Sequence, residues 1–211
     1  SSIVEDSLPQ TLTIAGIMPG ENEIQATQLS ATTTNPELIR IDSVSYETGA
    51  VTGTIRYQSQ PNRFGNTFLQ VTITDGGFDN DLSTTGDNLS YSQTVPVTVT
   101  PVNDKPIIGH ISNPDAIQED AIQQELIFTA VSPGPFESQP LSVTANAANS
   151  DLIEIVKIDY EAPGTTGTLF YRPKPNQHGV SDITVTVNDG GQDDNLASSG
   201  DNLSATSTFQ V

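Results

Sequence analysis

LQVTITDGGFDNDLSTTGDNLS, residues 69–90, returns as ITVTVNDGGQDDNLASSGDNLS at residues 183–204. In both stretches valine or isoleucine alternates with polar residues up to a turn opened by aspartate and two glycines, and an acidic loop with no basic residue follows. Alternation at period two puts every second side chain on one face, the mark of a strand with one face buried and the other wet. The same offset, 114 residues, aligns positions 1–97 with 115–211 without a gap and yields 37 identities. A repeat of this length is the size of a small domain, so the 211 residues read as two tandem modules.

Alternating runs also occur at Leu12 to Ile17, Leu29 to Thr33, Ile39 to Tyr46, Thr52 to Gln58, Phe68 to Thr74 and Thr94 to Thr100, and the second copy repeats them. Glycine, proline, asparagine and aspartate separate the runs, and no helical period is seen. The prediction is an all-β chain of two tandem Greek-key, immunoglobulin-like sandwiches. Leu12, Ile14, Ile39, Ile41, Tyr57, Leu69, Val71, Ile73, Val97 and Val99 are the expected inward side chains of the first. Residues 98–114 have no counterpart in the chain. Within them Pro101 and Pro106 interrupt ladder pairing and bracket Val102-Asn103-Asp104-Lys105 as a connector. The expected modules are residues 1–103, lacking a first strand, and 104–211, with Ile107 to Ile111 as first strand and a truncated last one.

Composition excludes several functions. Seven Lys and Arg stand against 26 Asp and Glu, a formal charge of −19, so a nucleic-acid partner is not expected, because phosphate contacts need basic side chains. Membrane insertion is not expected either, since no apolar stretch approaches the roughly 20 residues of a spanning helix. Cysteine is absent, which removes disulfides, thiolate nucleophiles and soft-metal sites. His110 and His178 are the only histidines, and the position matching His178 is Phe64, so a repeated catalytic role is not expected. Carboxylate pairs abound, but there is no Trp to form a sugar platform, and the chain is read as non-enzymatic.

Calcium takes six to eight oxygens, so a usable site needs several carboxylates and carbonyls with few competing cations. The acidic loops supply Asp75, Asp79, Asp81 and Asp87 in the first copy and Asp189, Asp193, Asp194 and Asp201 in the second. Solvated turns account for the same residues. Glu5-Asp6 and Glu119-Asp120 precede a strand in both copies and are either ligands or a polar bend; Asn103-Asp104 is either a ligand pair or an Asx-turn. Asn88-Leu89-Ser90 and Asn202-Leu203-Ser204 match the glycosylation sequon at a place where asparagine and serine are also ordinary turn residues.

The connector Val102-Asn103-Asp104-Lys105-Pro106, the Gly-Thr-hydrophobic-x-Tyr runs opening at Gly53 and Gly167, and the strand endings VTITDGG and VTVNDGG together make the chain resemble the bacterial cadherin-like repeats of large secreted proteins. That resemblance implies a secreted or cell-surface location and calcium held where repeats meet, with Glu5, Asn103, Asp104 and Asp189 in the matching positions. The expected function is a calcium-binding rigid spacer or adhesion module. Its partners would be neighbouring repeats of the same or identical chains, and a cell-surface protein or glycan. Two alternatives stand beside it: a self-assembling subunit of a surface layer, sheath or filament, and a glycan-binding accessory module.

Overall fold

A computed structural model describes residues 1–84, 86–198 and 200–211. They divide into two compact units, Ser1–Val102 and Asn103–Val211. The boundary falls one residue before the expected one. The Asn103 side-chain amide donates to the Asp189 carboxylate at 3.1 Å and to the Asp201 carbonyl at 2.8 Å, both in the second unit.

The first unit contains β1 (Ser2–Val4), β2 (Gln10–Ala15), β3 (Thr27–Thr33), β4 (Ile39–Ser45), β5 (Thr52–Ser59), β6 (Gly65–Asp75) and β7 (Ser90–Thr100). One sheet has the order β1-β7-β6-β3 and the other β2-β5-β4. The inward alternation is as expected: Ile39, Ile55, Tyr57, Leu69, Val97 and Val99 are at most 3% exposed. Leu12, Ile14, Ile41 and Ile73 pack against that core from partly buried positions. β1 is a strand outside the expected runs and matches residues 116–118, not Ile107 to Ile111. Ser2–Val4 pairs parallel with the end of β7, because Ile3 faces Val99 and buries its side chain there.

The second unit contains β8 (Gln124–Phe128), β9 (Leu141–Ala147), β10 (Ile153–Asp159), β11 (Gly167–Pro173), β12 (Asp182–Asp189) and β13 (Ser204–Gln210). Its sheets run β10-β11-β8 and β13-β12-β9 around a core that includes Phe128, Leu169, Tyr171, Ile183, Val185, Val187 and Phe209. The register shifts between Ile41 and Ser43 on β4 and, 114 residues on, between Ile155 and Lys157 on β10. A bulge kept at one place in both copies belongs to the design of the unit.

Ile107 to Ile111 does not form the expected strand. Ile107 makes an isolated bridge to Ser132, and Gly109 donates to the Thr129 carbonyl at 2.9 Å. Pro106 offers no N–H, and Ala130 on the opposite side turns to φ +56°, so the two segments cannot stay in step.

Candidate metal centre

Asp189 closes β12 and is fully buried, with no measurable exposure. Its Oδ1 accepts from the backbone N–H of Gly191 at 3.0 Å, the N–H of Leu203 at 2.9 Å and Asn103 Nδ2 at 3.1 Å. Its Oδ2 is buried without a partner. A buried carboxylate oxygen left unpaired is costly, and a cation is the usual remedy.

Two further unpaired oxygens belong to side chains held by the connector residues Asn103 and Asp104. Asn103 Oδ1 accepts from Gln139 Nε2 at 2.8 Å, which links Gln139 through Asn103 to Asp189. The Asp104 N–H donates to Glu137 Oε1 at 3.1 Å. Glu137 Oε2 and Gln139 Oε1 are both buried without hydrogen-bond partners. Burial holds the Glu137 carboxyl above the usual carboxylate range. The Asp104 N–H and Gln139 partly offset this, while the charges of Asp104 and Asp189 add to it. Gly134, at φ +141°, lies directly beneath: a β-carbon there would run into Glu137 Oε2 and approach Asp104 Cβ to 3.1 Å. The recurrence of Pro-Gly at 19–20 and 133–134 therefore marks close approach to an acidic side chain, and Gly20 lies under Glu23 in the same way.

The first unit carries part of the same arrangement. Asp75 Oδ1 accepts from Gly77 and Leu89 N–H groups, each at 3.0 Å, and Gln25 Oε1 is buried without a partner. The 114-residue offset carries Asn103 and Asp104 to positions before Ser1, so residues 1–102 hold no counterpart of either.

The remaining predicted ligands are placed elsewhere. Asp79 Oδ1 accepts from the Asp81 N–H at 3.0 Å, Asp81 Oδ1 from the Ser83 N–H and hydroxyl at 2.8 and 2.7 Å, and Asp87 Oδ2 from the Phe78 N–H at 2.6 Å. The Ser83 hydrogen bonds lower the Asp81 pKa. Asp193 and Asp201 repeat this wiring with Asn195 and Gln192, and Asp194 is exposed at φ +54°. These carboxylates shape the loops. Asp6 and Asp120 each accept the N–H of an asparagine 56 residues on, Asn62 at 3.0 Å and Asn176 at 2.8 Å, which accounts for the repeated Pro-Asn. Glu5 is buried and accepts the Val102 N–H, whereas Glu119 is exposed.

Of the sequence candidates, Asn103, Asp104 and Asp189 come together. Among the described residues no group of three His, Cys, Asp or Glu forms a metal cluster unaided. The second-unit site combines two carboxylates, Glu137 and Asp189, with amide oxygens, a hard donor set of the kind calcium accepts. Glu137 and Gln139 are not among the sequence candidates, since they lie outside the aspartate-rich loops. The signal was present: Glu-x-Gln is identical at 23–25 and 137–139.

No family model and no curated protein matches the chain. Among solved structures it is similar to the endo-fucoidan hydrolase MfFcnA9 of glycoside hydrolase family 107 at 13% identity and a TM-score of 0.30, covering 100% of this chain and 32% of that one. It is also similar to domains 4 and 5 of the S-layer protein SbsC at 13% identity and a TM-score of 0.27, covering 86% of this chain and 70% of that one. This chain thus spans about a third of the hydrolase's length. Neither likeness is close enough to carry an argument about function.

Proposed function

We propose that the chain is a calcium-binding module whose ion is held in the second unit by Asp189, Glu137 and Gln139, with Asn103 and Asp104 framing the site. The observation that carries this reading is Asp189 Oδ2, fully buried and unpaired, with Gln139 tied to Asp189 through Asn103 and Glu137 held by the Asp104 N–H, each bearing a further unpaired oxygen. Oxygen donors without sulfur or imidazole favour calcium over zinc. At a formal charge of −19, a divalent ion also relieves repulsion. Asn103 and Asp104 belong to the connector, so a bound ion anchors the connector to the second unit and shortens its free part. That supports the role of a rigid, non-enzymatic spacer or adhesion repeat of a secreted or cell-surface protein.

Calorimetric titration tests the site. Calcium is expected to bind with a dissociation constant of about 10⁻⁴–10⁻³ M or tighter, the range of extracellular modules. Asp189→Asn is expected to weaken it by at least about tenfold, or roughly 1.4 kcal/mol. Absence of binding heat at millimolar calcium, or equal affinity in the variant, would refute the assignment. Small-angle scattering with calcium and with chelator tests the spacer role separately, and identical profiles would count against it.

A further inference from the structure

The two sheets of each unit differ in charge on their outer faces. In the first unit the outward side chains of β1, β3, β6 and β7 are the even-numbered residues of those strands, 16 positions of which none is ionisable. Serine, threonine, asparagine and glutamine fill all of them except Val4, Phe68 and Pro96. In the second unit the 11 even-numbered residues of β9, β12 and β13 include one charge, Asp182, whose Oδ1 accepts from Gln210 Nε2 at 3.2 Å. The ion pairs of Arg40 and Arg56 with Asp42, of Lys157 with Asp159 and of Arg172 with Glu154 lie on the opposite sheets. A chain with a formal charge of −19 repels its own copies, and an uncharged face is where two copies can meet without burying unpaired carboxylates.

The face in the first unit is also ordered in advance. Thr72 Oγ1 and Ser92 Oγ share a hydrogen bond of 2.7 Å, Thr74 Oγ1 and Ser90 Oγ one of 2.8 Å, and Thr98 Oγ1 donates to Asn66 Oδ1 at 2.8 Å. Side chains already held across strands lose less freedom on association. Phe68, 48% exposed, stands opposite Pro96 in the ladder and makes an apolar row within the polar grid. The 114-residue offset puts Asp182 at that place in the second unit, so the anchor belongs to the first unit alone. With strands about 4.8 Å apart and residues about 3.4 Å apart, the four strands cover roughly 500 Å². Two such faces bury roughly 1,000 Å², the size of a weak, reversible interface.

We infer that the outer face of the β1-β7-β6-β3 sheet is a self-association surface. A second copy of this chain packs on it face to face about a two-fold axis, with the row of Phe68 and Pro96 between the copies. Neutrality is the charge pattern that matches itself on so acidic a molecule, whereas a basic partner would find no carboxylate on this face. The surface is separate from the calcium site, which lies in the second unit.

Sedimentation equilibrium of the chain with chelator present tests the inference. A monomer-dimer equilibrium is expected below about 1 mM, as fits an interface of this size. It should tighten as sodium chloride rises from about 0.05 to about 0.5 M, because screening weakens the repulsion between the copies' other surfaces. Thr94→Glu and Phe68→Ser, both at exposed outward positions, should each weaken dimerisation by about tenfold or more. Thr11→Glu adds the same charge at an exposed position of β2, in the opposite sheet, and should change it by less than about twofold. A chain that stays monomeric to about 1 mM at about 0.5 M salt would overturn the inference. So would a dimer weakened equally by Thr11→Glu and Thr94→Glu. Retention of a monomeric chain on an insoluble uncharged polysaccharide, lost in Phe68→Ser, would overturn it in favour of a glycan surface. Chelator removes calcium from every arm, so failure here leaves the calcium reading untouched, and the reverse.

Discussion

Tyr46 and Tyr160 occupy equivalent positions in opposite circumstances. The Tyr46 hydroxyl meets Thr27 Oγ1 and donates to the Ala50 carbonyl at 3.0 Å. In the second unit the threonine position is Leu141 and the alanine position Gly164, and the Tyr160 hydroxyl is buried without a partner. Burial raises the Tyr160 pKa accordingly. Removing a satisfied buried hydrogen bond costs about 1 kcal/mol, while removing an orphaned hydroxyl costs nothing or stabilises. Tyr46→Phe is therefore expected to lower the urea midpoint of the first unit, and Tyr160→Phe to hold or raise that of the second. Glu137 makes a second case at this scale. Its folded-state pKa lies above the ordinary value, so the folded state holds the proton more tightly than the unfolded one. Its contribution is intact below the ordinary carboxylate pKa and is lost as pH rises through the raised one. Glu137→Gln keeps the acceptor for the Asp104 N–H and removes the charge. At neutral pH the variant should melt higher than the parent without calcium and lower than the parent with saturating calcium. A variant less stable in both conditions would mean that the carboxylate serves only the fold.

The strands owe their limits to backbone fit as much as to apolar pattern. β11 opens at Gly167, where a β-carbon would run into the Phe128 ring and lie 2.9 Å from the Asp159 carbonyl oxygen. At Gly53 the nearest obstacle is Leu29 Cδ2 at 2.6 Å, the mobile tip of a side chain. Gly167→Ala should accordingly cost about 1–3 kcal/mol, as overpacking does, and Gly53→Ala less, read from denaturant midpoints of the two units. Equal effects would mean that the Phe128 ring yields as easily as leucine. The predicted strands matched those formed to within a few residues because alternation reports burial directly. Ile107 to Ile111 failed the same reading, since the pairing there depends on the backbone of Ala130, which no apolar pattern encodes.

The whole molecule carries 26 acidic and seven basic residues. Among the described residues, ion pairs join Arg40 and Arg56 with Asp42, Lys157 with Asp159 and Arg172 with Glu154 on partly exposed strand faces. Calcium should act on the two units unequally. The first lacks counterparts of Asn103 and Asp104, so scanning calorimetry should show the second unit's transition rising more, by about 2.7 kcal/mol of stability at a hundredfold excess over the dissociation constant. Equal shifts in both transitions, reproduced by sodium chloride at matched ionic strength, would indicate screening alone.

The sequence by itself determined the tandem repeat, the all-β class, the inward residues and the acidic loops, because period-two alternation and a fixed offset record which side chains are buried and which positions recur. It also held Asn103, Asp104 and Asp189 as candidates. Only the tertiary structure decided that Asp79, Asp81, Asp193 and Asp201 spend their oxygens on loop N–H groups while Asp189 keeps one free, and that Glu137 and Gln139 stand beside it. Residue 189 ends β12 and residue 137 lies in the connection between β8 and β9, so the two meet only when the chain folds. Whether an oxygen is satisfied is a property of its neighbours in space, and those are set by the fold.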